Sequence, residues 1–320
     1  MSSSVAPQLS QFASDVAEGL ASAGQKTLAP RYFYDELGSV LFEAITLLPE
    51  YGLTRADERL LRLHASEIVA ATGALCAIAE LGSGSGRKTR HILEAVRRSQ
   101  QLLIYQPIDV SRTALDVCEL ALSDVSEVKP VCADWIKGLA EIASSRTGER
   151  PMLVLFLGSS IGNLERPEII DFLRRVRAEL RPGDFFLLGA DLVKDIDRMI
   201  SAYDDPTGVT AAFNLNLLAR MNGELGGDFD LRSFAHEIRW NSTERRIEMH
   251  LLACRNQTVY ISALDNAYHF RAGETICTEL SHKFTPGELD SYGTSSGFTT
   301  VAAWADKEWP FIEALWQVSA

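Results

Sequence analysis

A chain of 320 residues that is 46% hydrophobic and 23% charged has an ordinary globular composition, with enough apolar residues for one large core or two smaller ones. Its formal charge of -12 disfavours nucleic acid or an anionic membrane as a partner, since those surfaces reward Lys and Arg, and favours a small substrate. The five cysteines are scattered without a C-x-x-C spacing, no apolar run reaches the roughly 18 residues of a membrane span, and the first residues lack a signal peptide's basic start and apolar stretch, so a cytoplasmic protein without disulfides or structural zinc is expected.

In chain order, an aromatic-rich stretch from Leu28 to about Leu60 carries Tyr32, Phe33, Tyr34, Phe42 and Tyr51 and precedes the first strand signal, where it could serve as a lid. From 74 to 191 short β-rich runs alternate with amphipathic helices, the pattern of a parallel sheet covered on both faces. The predicted strands are Ala74–Leu81, Leu102–Asp109, Val128–Ala133, Met152–Leu157 and Phe185–Ala190, with helices near Lys88–Arg97, Arg112–Leu122 and Pro167–Leu180. The alternation then stops. Asp195–Tyr203 and Val209–Leu225 read as helices, and Arg245–Cys254, Gln257–Leu264 and Thr275–Phe284 as antiparallel strands of a second module. Thr299–Trp304 and Phe311–Val318 read as a strand pair able to return to the edge of the first sheet.

The loop Gly82-Ser83-Gly84-Ser85-Gly86 between a strand and a helix suits close backbone approach to a nucleoside. A dinucleotide fingerprint starting at Gly82 would require glycine at 87, where Arg87 stands, so S-adenosylmethionine (SAM) is favoured over a nicotinamide dinucleotide. Asp109 closes the second strand, where a carboxylate can take both ribose hydroxyls or else cap the following helix. Asp134-Trp135 suits an adenine contact with an apolar wall, or a capped turn with a core tryptophan. Lys88 can reach a cofactor carboxylate or remain a solvated helix charge. Asn163, in the loop Leu157–Asn163, offers donor and acceptor without charge to an amino acid's carboxylate and amine, or caps backbone. Glu279 and Ser281, two apart in a strand, leave one face and can grip a polar ring or face solvent. The six histidines show no metal spacing, no nucleophile elbow is present, and no metal is expected.

At these residues the chain resembles the ergothioneine-pathway L-histidine Nα-methyltransferases over nearly its whole length. The resemblance rests on Tyr32-Phe33-Tyr34-Asp35, Leu48-Pro49-Glu50-Tyr51, Thr54-Arg55, Glu80-Leu81-Gly82-Ser83-Gly84, Phe156–Leu164, Gly189–Asp195, Ala202-Tyr203-Asp204-Asp205 and Thr278–Phe284. It implies an α/β fold: a Rossmann-like SAM-dependent methyltransferase domain with a doubly wound, mostly parallel sheet (residues 61–195 and 287–320), and a smaller inserted α+β substrate-binding domain (12–60 and 196–286). It implies cofactor contacts at Gly82, Lys88, Asp109, Asp134 and Trp135. Histidine contacts are implied at Tyr51, Asn163, Tyr203, Glu279 and Ser281, with Asn163 and Tyr203 at the amino-acid end and Tyr51, Glu279 and Ser281 at the imidazole. Tyr34 lies near the amine by the same likeness, and Tyr34 and Asn163 are the expected catalytic residues, with no dedicated strong base.

The reaction so implied is trimethylation of the histidine α-amino group to hercynine, the first step of ergothioneine biosynthesis, by a monomer using SAM as methyl donor. One departure is that Gly52-Leu53 replaces the family's usual aromatic-proline pair, which bears on the shape of the imidazole wall. The alternatives are an N-methyltransferase of another aromatic amino acid such as tryptophan, a nicotinamide-dependent oxidoreductase, and a SAM-binding regulator. Glu279 and Met249 count against the first, Arg87 against the second, and the set of substrate-facing polar residues against the third.

Overall fold

The computed structural model describes residues 10–99 and 103–319; Leu102, the start of one predicted strand, lies outside them. In chain order the described residues form α1 (Gln11–Ala21), β1 (Lys26–Thr27), α2 (Glu36–Leu47), α3 (Gly52–Thr72), β2 (Ala77–Leu81), α4 (Arg90–Ser99), β3 (Ile104–Asp109), α5 (Arg112–Leu122), β4 (Glu127–Val128) and β5 (Val131–Cys132). There follow α6 (Trp135–Ser145), β6 (Met152–Phe156), α7 (Arg166–Glu179), β7 (Phe185–Asp191), α8 (Ile196–Tyr203), α9 (Val209–Leu225), β8 (Phe234–Asn241), β9 (Arg246–Ala253), β10 (Gln257–Ile261), β11 (Asn266–Phe270), β12 (Thr275–His282), α10 (Pro286–Ser295), β13 (Phe298–Asp306) and β14 (Phe311–Val318). They divide into two compact units, one made of Tyr51–Asp195 with the chain from Ser281 onward, the other of the chain up to Glu50 with Ile196–Leu280.

The first unit is built on an eight-stranded sheet in the order β13-β14-β7-β6-β2-β3-β4, with β5 also on β3. Strands β7, β6, β2 and β3 run parallel, and β14 joins β7 antiparallel with Phe311 opposite Asp191. Every residue of β2, β6 and β7 is buried, as expected of central strands covered on both faces. Alternation divides them between two cores. Ala77, Ala79 and Leu81 pack with Leu139, Leu173 and Val176 on one face, while Ile78, Leu153 and Leu155 pack with Leu61, Ile68, Ile92 and Val96 on the other.

The second unit holds a four-stranded sheet, β1-β12-β9-β8, and the β10–β11 hairpin. Its helices rest on aromatic contacts: Phe33 stacks on Phe213 at 4.4 Å between centroids, and Phe12 lies 4.5 Å from Tyr32.

Helices α5 and α9 have the predicted bounds, and the expected return of β13 and β14 to the sheet edge is observed. The predicted strand Val128–Ala133 is instead two short pieces on either side of Lys129-Pro130, because proline has no N–H for the ladder. Strands β8 and β11 and helices α6 and α10 were not predicted. For α10 a sequence signal existed in Thr285-Pro286-Gly287-Glu288, which forms a capping box. The unit boundaries also differ from the expected 60/61 and 286/287. Helix α3 starts at Gly52 and sends Leu61, Ala65, Ile68 and Val69 into the core of the parallel sheet, so the boundary falls before Tyr51, and the later one falls inside β12.

Candidate active site

The chain leaves β2 for β3 and β4, then returns to the other side of β2 with β6 and β7, so the order reverses between β2 and β6. In open parallel sheets ligands bind at that reversal, outside the carboxyl ends of the strands. The loops Gly82–Gly86 and Leu157–Asn163, chosen from sequence, follow those two strands.

The glycine loop is pinned to the end of β3. The Gly82 N–H donates to the Ile108 carbonyl at 2.8 Å, and the Gly84 N–H to Asp109 Oδ2 at 3.1 Å. The other Asp109 oxygen accepts from the Ser111 N–H at 2.9 Å. Ser111, not Asp109, caps α5, so the capping alternative for Asp109 is not what the structure has. Burial raises the Asp109 carboxyl above its ordinary range, against the pull of the Ser111 and Gly84 N–H groups. Each oxygen keeps a lone pair for a further donor. Gly86 has φ +66°, and a Cβ there would lie 2.6 Å from Cys118 Sγ, so both backbone and space require glycine.

Trp135 packs edge-on against Phe156 at 4.9 Å and Phe172 at 5.6 Å, and its indole nitrogen would lie 3.2 Å from a Cβ at Gly82, placing an aromatic wall beside the loop. Asp134 is the N-cap of α6, accepting from the Lys137 N–H at 3.0 Å and pairing with its ammonium at 3.1 Å. The alternative of a capped turn is thus realised at Asp134, and Trp135 packs against the core beside the glycine loop.

Lys88 is not a solvated helix charge. Its ammonium pairs with Asp57 on α3, whose Oδ2 also accepts from the Gly158 N–H at 2.9 Å, so one buried carboxylate ties Lys88 to the loop after β6. Burial works to lower the Lys88 pKa, but Asp57 and the neighbouring Glu80 and Glu313 hold it above its ordinary value. Glu313, on β14, is fully buried, and burial together with Asp57 pushes its carboxyl well above the ordinary range, while Lys88 pulls it down. Burial also pushes Glu80 up to about 7, opposed by hydrogen bonds from Thr89 and Tyr105. Sequence reasoning missed Asp57 and Glu313. The signal was available, since Asp57 stands in the apolar stripe Leu53, Ala56, Leu60, Leu61, and Glu313 interrupts the apolar run Phe311–Trp316.

In the same unit Asp191, the last residue of β7, links the segments on which Tyr51, Asn163 and Ser281 stand. Its backbone N–H donates to Ser159 Oγ at 2.9 Å, at the start of the 3-10 turn Ser160–Asn163. A Cβ at Gly162 would lie 3.0 Å from the His282 carbonyl, so the turn carrying Asn163 lies against the end of β12. There Ser281 Oγ accepts from Lys283 Nζ at 2.8 Å, and Lys283 pairs with Asp191 Oδ2 at 2.9 Å. Asp191 Oδ1 takes Lys194 Nζ at 2.6 Å and the Trp309 indole N–H at 2.9 Å. Burial opposes ionisation of Asp191, but the two lysines hold it below the usual carboxylate range. The Trp309 ring lies directly over Gly52, where any Cβ would overlap it. The departure at Gly52 is thus a packing requirement of Trp309, with Tyr51 buried at the start of the same helix.

The remaining expected residues, Tyr34, Tyr203 and Glu279, belong to the second unit. Tyr34 is exposed and makes edge contacts with Phe42 at 5.5 Å and Phe213 at 6.0 Å. Tyr203 ends α8, and its carbonyl oxygen lies 2.9 Å from His236 Nε2. The His236 Nδ1 lies 2.9 Å from the Asn214 amide nitrogen, so the ring bridges Asn214 and the end of α8. Asn214 also donates to the His250 carbonyl at 3.0 Å and accepts from Thr278 Oγ1 at 2.7 Å. This fully buried amide fixes both the end of α8, which carries Tyr203, and the strand residue before Glu279. Sequence reasoning missed it, since an asparagine within a helix has no motif.

Among the described residues there is no cluster of metal-ligating side chains, and no described helix is long and apolar enough to cross a membrane.

Residues 12–318 match the family model described as "Histidine-specific methyltransferase, SAM-dependent". A histidine N-alpha-methyltransferase of Mycolicibacterium smegmatis is 45% identical over 91% of this chain and 90% of its own length. Its counterpart from Mycobacterium tuberculosis is 44% identical over 93% and 92%. Ergothioneine biosynthesis protein 1 of Neurospora crassa is 30% identical over 88% of this chain, which spans 32% of that protein.

Proposed function

The chain belongs to the histidine-specific, SAM-dependent methyltransferase family, and from that premise we propose that it transfers methyl groups from SAM to the α-amino nitrogen of L-histidine, three times, giving hercynine for ergothioneine biosynthesis. The observation that carries this reading is the match of the histidine-specific family model across residues 12–318, which takes in both compact units. A small-molecule substrate agrees with the formal charge of -12. A cytoplasmic monomer that needs no metal is the expected form.

The residues around the β2–β6 reversal fit SAM by their donor chemistry. Asp109 retains lone pairs for the two ribose hydroxyls, Trp135 offers a flat apolar wall to adenine, Asp134 an acceptor to its amino group, and Lys88 a cation to the carboxylate. SAM supplies an electrophilic methyl on a sulfonium. The protein's share is placement: holding the amine in line, keeping water out, and leaving the nitrogen's lone pair unprotonated. We assign Asn163 and Tyr203 to the amino-acid end of histidine, and Tyr51, Glu279 and Ser281 to its imidazole. Tyr34 relays to solvent the proton that the nitrogen must lose before each transfer, giving up its phenolic hydrogen as it takes the one from nitrogen. The trimethylated nitrogen has no proton left to lose and no lone pair, so the sequence of transfers stops there.

Specificity falls on Glu279 and Ser281. An apolar side chain would forfeit the hydrogen bonds these two groups can make to a polar ring, at roughly 1–3 kcal/mol each, which favours histidine over tryptophan or phenylalanine. Since Gly52 is accounted for by Trp309, no feature of the structure favours tryptophan. The test is incubation with SAM and an amino-acid mixture, followed by mass spectrometry for trimethylhistidine. Glu279→Ala should lose histidine turnover while binding SAM as the wild type does. Unchanged turnover in that variant would refute the assignment.

A further inference from the structure

An ion pair sealed on both sides offers nothing to a ligand, whereas one sealed only on the anion's side presents its cation outward. The pair of Lys88 with Asp57 is of the second kind, since Asp57 is 0% exposed and the Lys88 side chain 23%. Asp57 Oδ2 takes one N–H of the ammonium and leaves the others for an acceptor on the open side. The Gly158 N–H donates to the same oxygen at 2.9 Å and so fixes it from a second direction. A Cβ at Gly158 would lie 3.4 Å from Lys88 Nζ, so glycine leaves the ammonium uncovered there. Lys88 follows the glycine loop with only Arg87 between, and all of these residues belong to the first unit.

We propose that Asp57 is a positioning residue for cofactor recognition, holding the Lys88 ammonium so that its remaining donors meet the carboxylate at the amino-acid end of SAM. Adenosine ligands that carry this carboxylate are then told from those that lack it by a residue that touches neither. The inference rests on the reading of Lys88 as the contact for the cofactor carboxylate. Coulomb attraction alone forecasts the opposite, because an anion behind the cation weakens its pull on a second carboxylate, and removing Asp57 would tighten binding. Placement outweighs that effect. Burial works to lower the Lys88 pKa and Asp57 overcomes it, so a Lys88 without Asp57 is drawn to lose its proton or to swing toward water, and either change takes the donors from the ligand.

Titration calorimetry on the full-length protein tests the proposal with two ligands, S-adenosylhomocysteine and its decarboxylated form, which keeps the amine and lacks the carboxylate. The wild type should prefer the first by about tenfold or more. Lys88→Met should bring the ratio of the two affinities close to one. Asp57→Ala should do the same, with Asp57→Asn, which keeps an acceptor, between it and the wild type, and Asp57→Ala added to Lys88→Met should lower the ratio no further, because the two act as one unit. Since Glu313 ionises more readily once Asp57 is gone, Asp57→Ala is also made with Glu313→Gln, so that no second carboxylate stands in for the first. Binding of the decarboxylated ligand reports that a variant is folded, and if Asp57→Ala binds neither ligand, Asp57→Asn decides. Asp57 variants whose ratio is unchanged or raised, including variants that weaken both ligands equally, would overturn the proposal while leaving the Lys88 contact standing. A wild type that does not distinguish the two ligands, or a Lys88→Met variant that keeps the wild-type ratio, would refute the Lys88 contact itself and the proposal with it.

Discussion

Removing Asp57 should disturb two sites with one substitution. Its fully buried carboxylate takes the Lys88 ammonium and the Gly158 N–H on the same oxygen. Asp57→Ala leaves a largely buried cation without its partner, a change of about 3–5 kcal/mol, and the Gly158 N–H without an acceptor, a further penalty of about 1–3 kcal/mol. Glu313 limits the total. Asp57 is among the groups that raise the Glu313 carboxyl and Lys88 among those that lower it, so without Asp57 the ionisation of Glu313 near Lys88 becomes easier. The expected loss is therefore about 3–4 kcal/mol for Asp57→Ala, and about half as much for Asp57→Asn, which keeps an acceptor. The assay is urea unfolding at pH 7, with SAM affinity measured on the same preparations. In the Asp57→Ala background, adding Glu313→Gln should cost more than Glu313→Gln does in the wild type. An Asp57→Ala protein within 1 kcal/mol of wild type by the same criterion, or strict additivity of the two changes, would refute the account of a shared charge centre.

Glu80, raised from 4.5 to about 7, binds its proton more tightly in the folded state. Stability should therefore fall as pH rises between those values, by on the order of 3 kcal/mol, and level off above them. Glu80→Gln, which can still accept from Thr89 and Tyr105, should flatten that slope in unfolding titrations at pH 5 and pH 8; an unchanged slope would assign it to other groups. Asn214→Ala should cost about 2–4 kcal/mol, because it removes the amide partner of His236 Nδ1 and of the His250 carbonyl and leaves Thr278 Oγ1 with the Met249 carbonyl alone. It should also raise KM for histidine more than it weakens SAM binding, as read by steady-state kinetics beside calorimetry. Equal losses in both would refute its role in fixing Tyr203 and Glu279.

What the sequence revealed followed from local rules. The buried strands β2, β6 and β7 are continuous apolar runs of strand length, and the glycine loop announced itself by spacing against Arg87. Ser159-Ser160-Ile161-Gly162-Asn163 was legible as a loop after a strand, and it forms the turn against β12. The hidden parts depend on partners far away in the chain. Asp57 meets Lys88 and Gly158, and Asn214 meets His236 and Thr278, none of which a local window contains. Gly52 looked like a lost aromatic wall until Trp309 was seen lying over it. Asp134 shows the converse, since its role as a helix cap was written in the sequence and is what the structure has. Strand β8 escaped notice because its side chains are mostly half-buried, leaving no clean alternation to read.

Strand β14 sits between β7 and β13, yet β7 comes before the whole insertion of residues 196–280 and β14 comes last of all. During synthesis β7 is therefore an open sheet edge, apolar from Phe185 to Ala190, until Phe311–Val318 emerge from the ribosome to cover it. The same late strand delivers Glu313 beneath the Lys88–Asp57 pair. A nascent chain stalled before it carries a sticky edge and an unfinished charge centre at once, so ribosome pausing within the insertion should prolong dependence on chaperones.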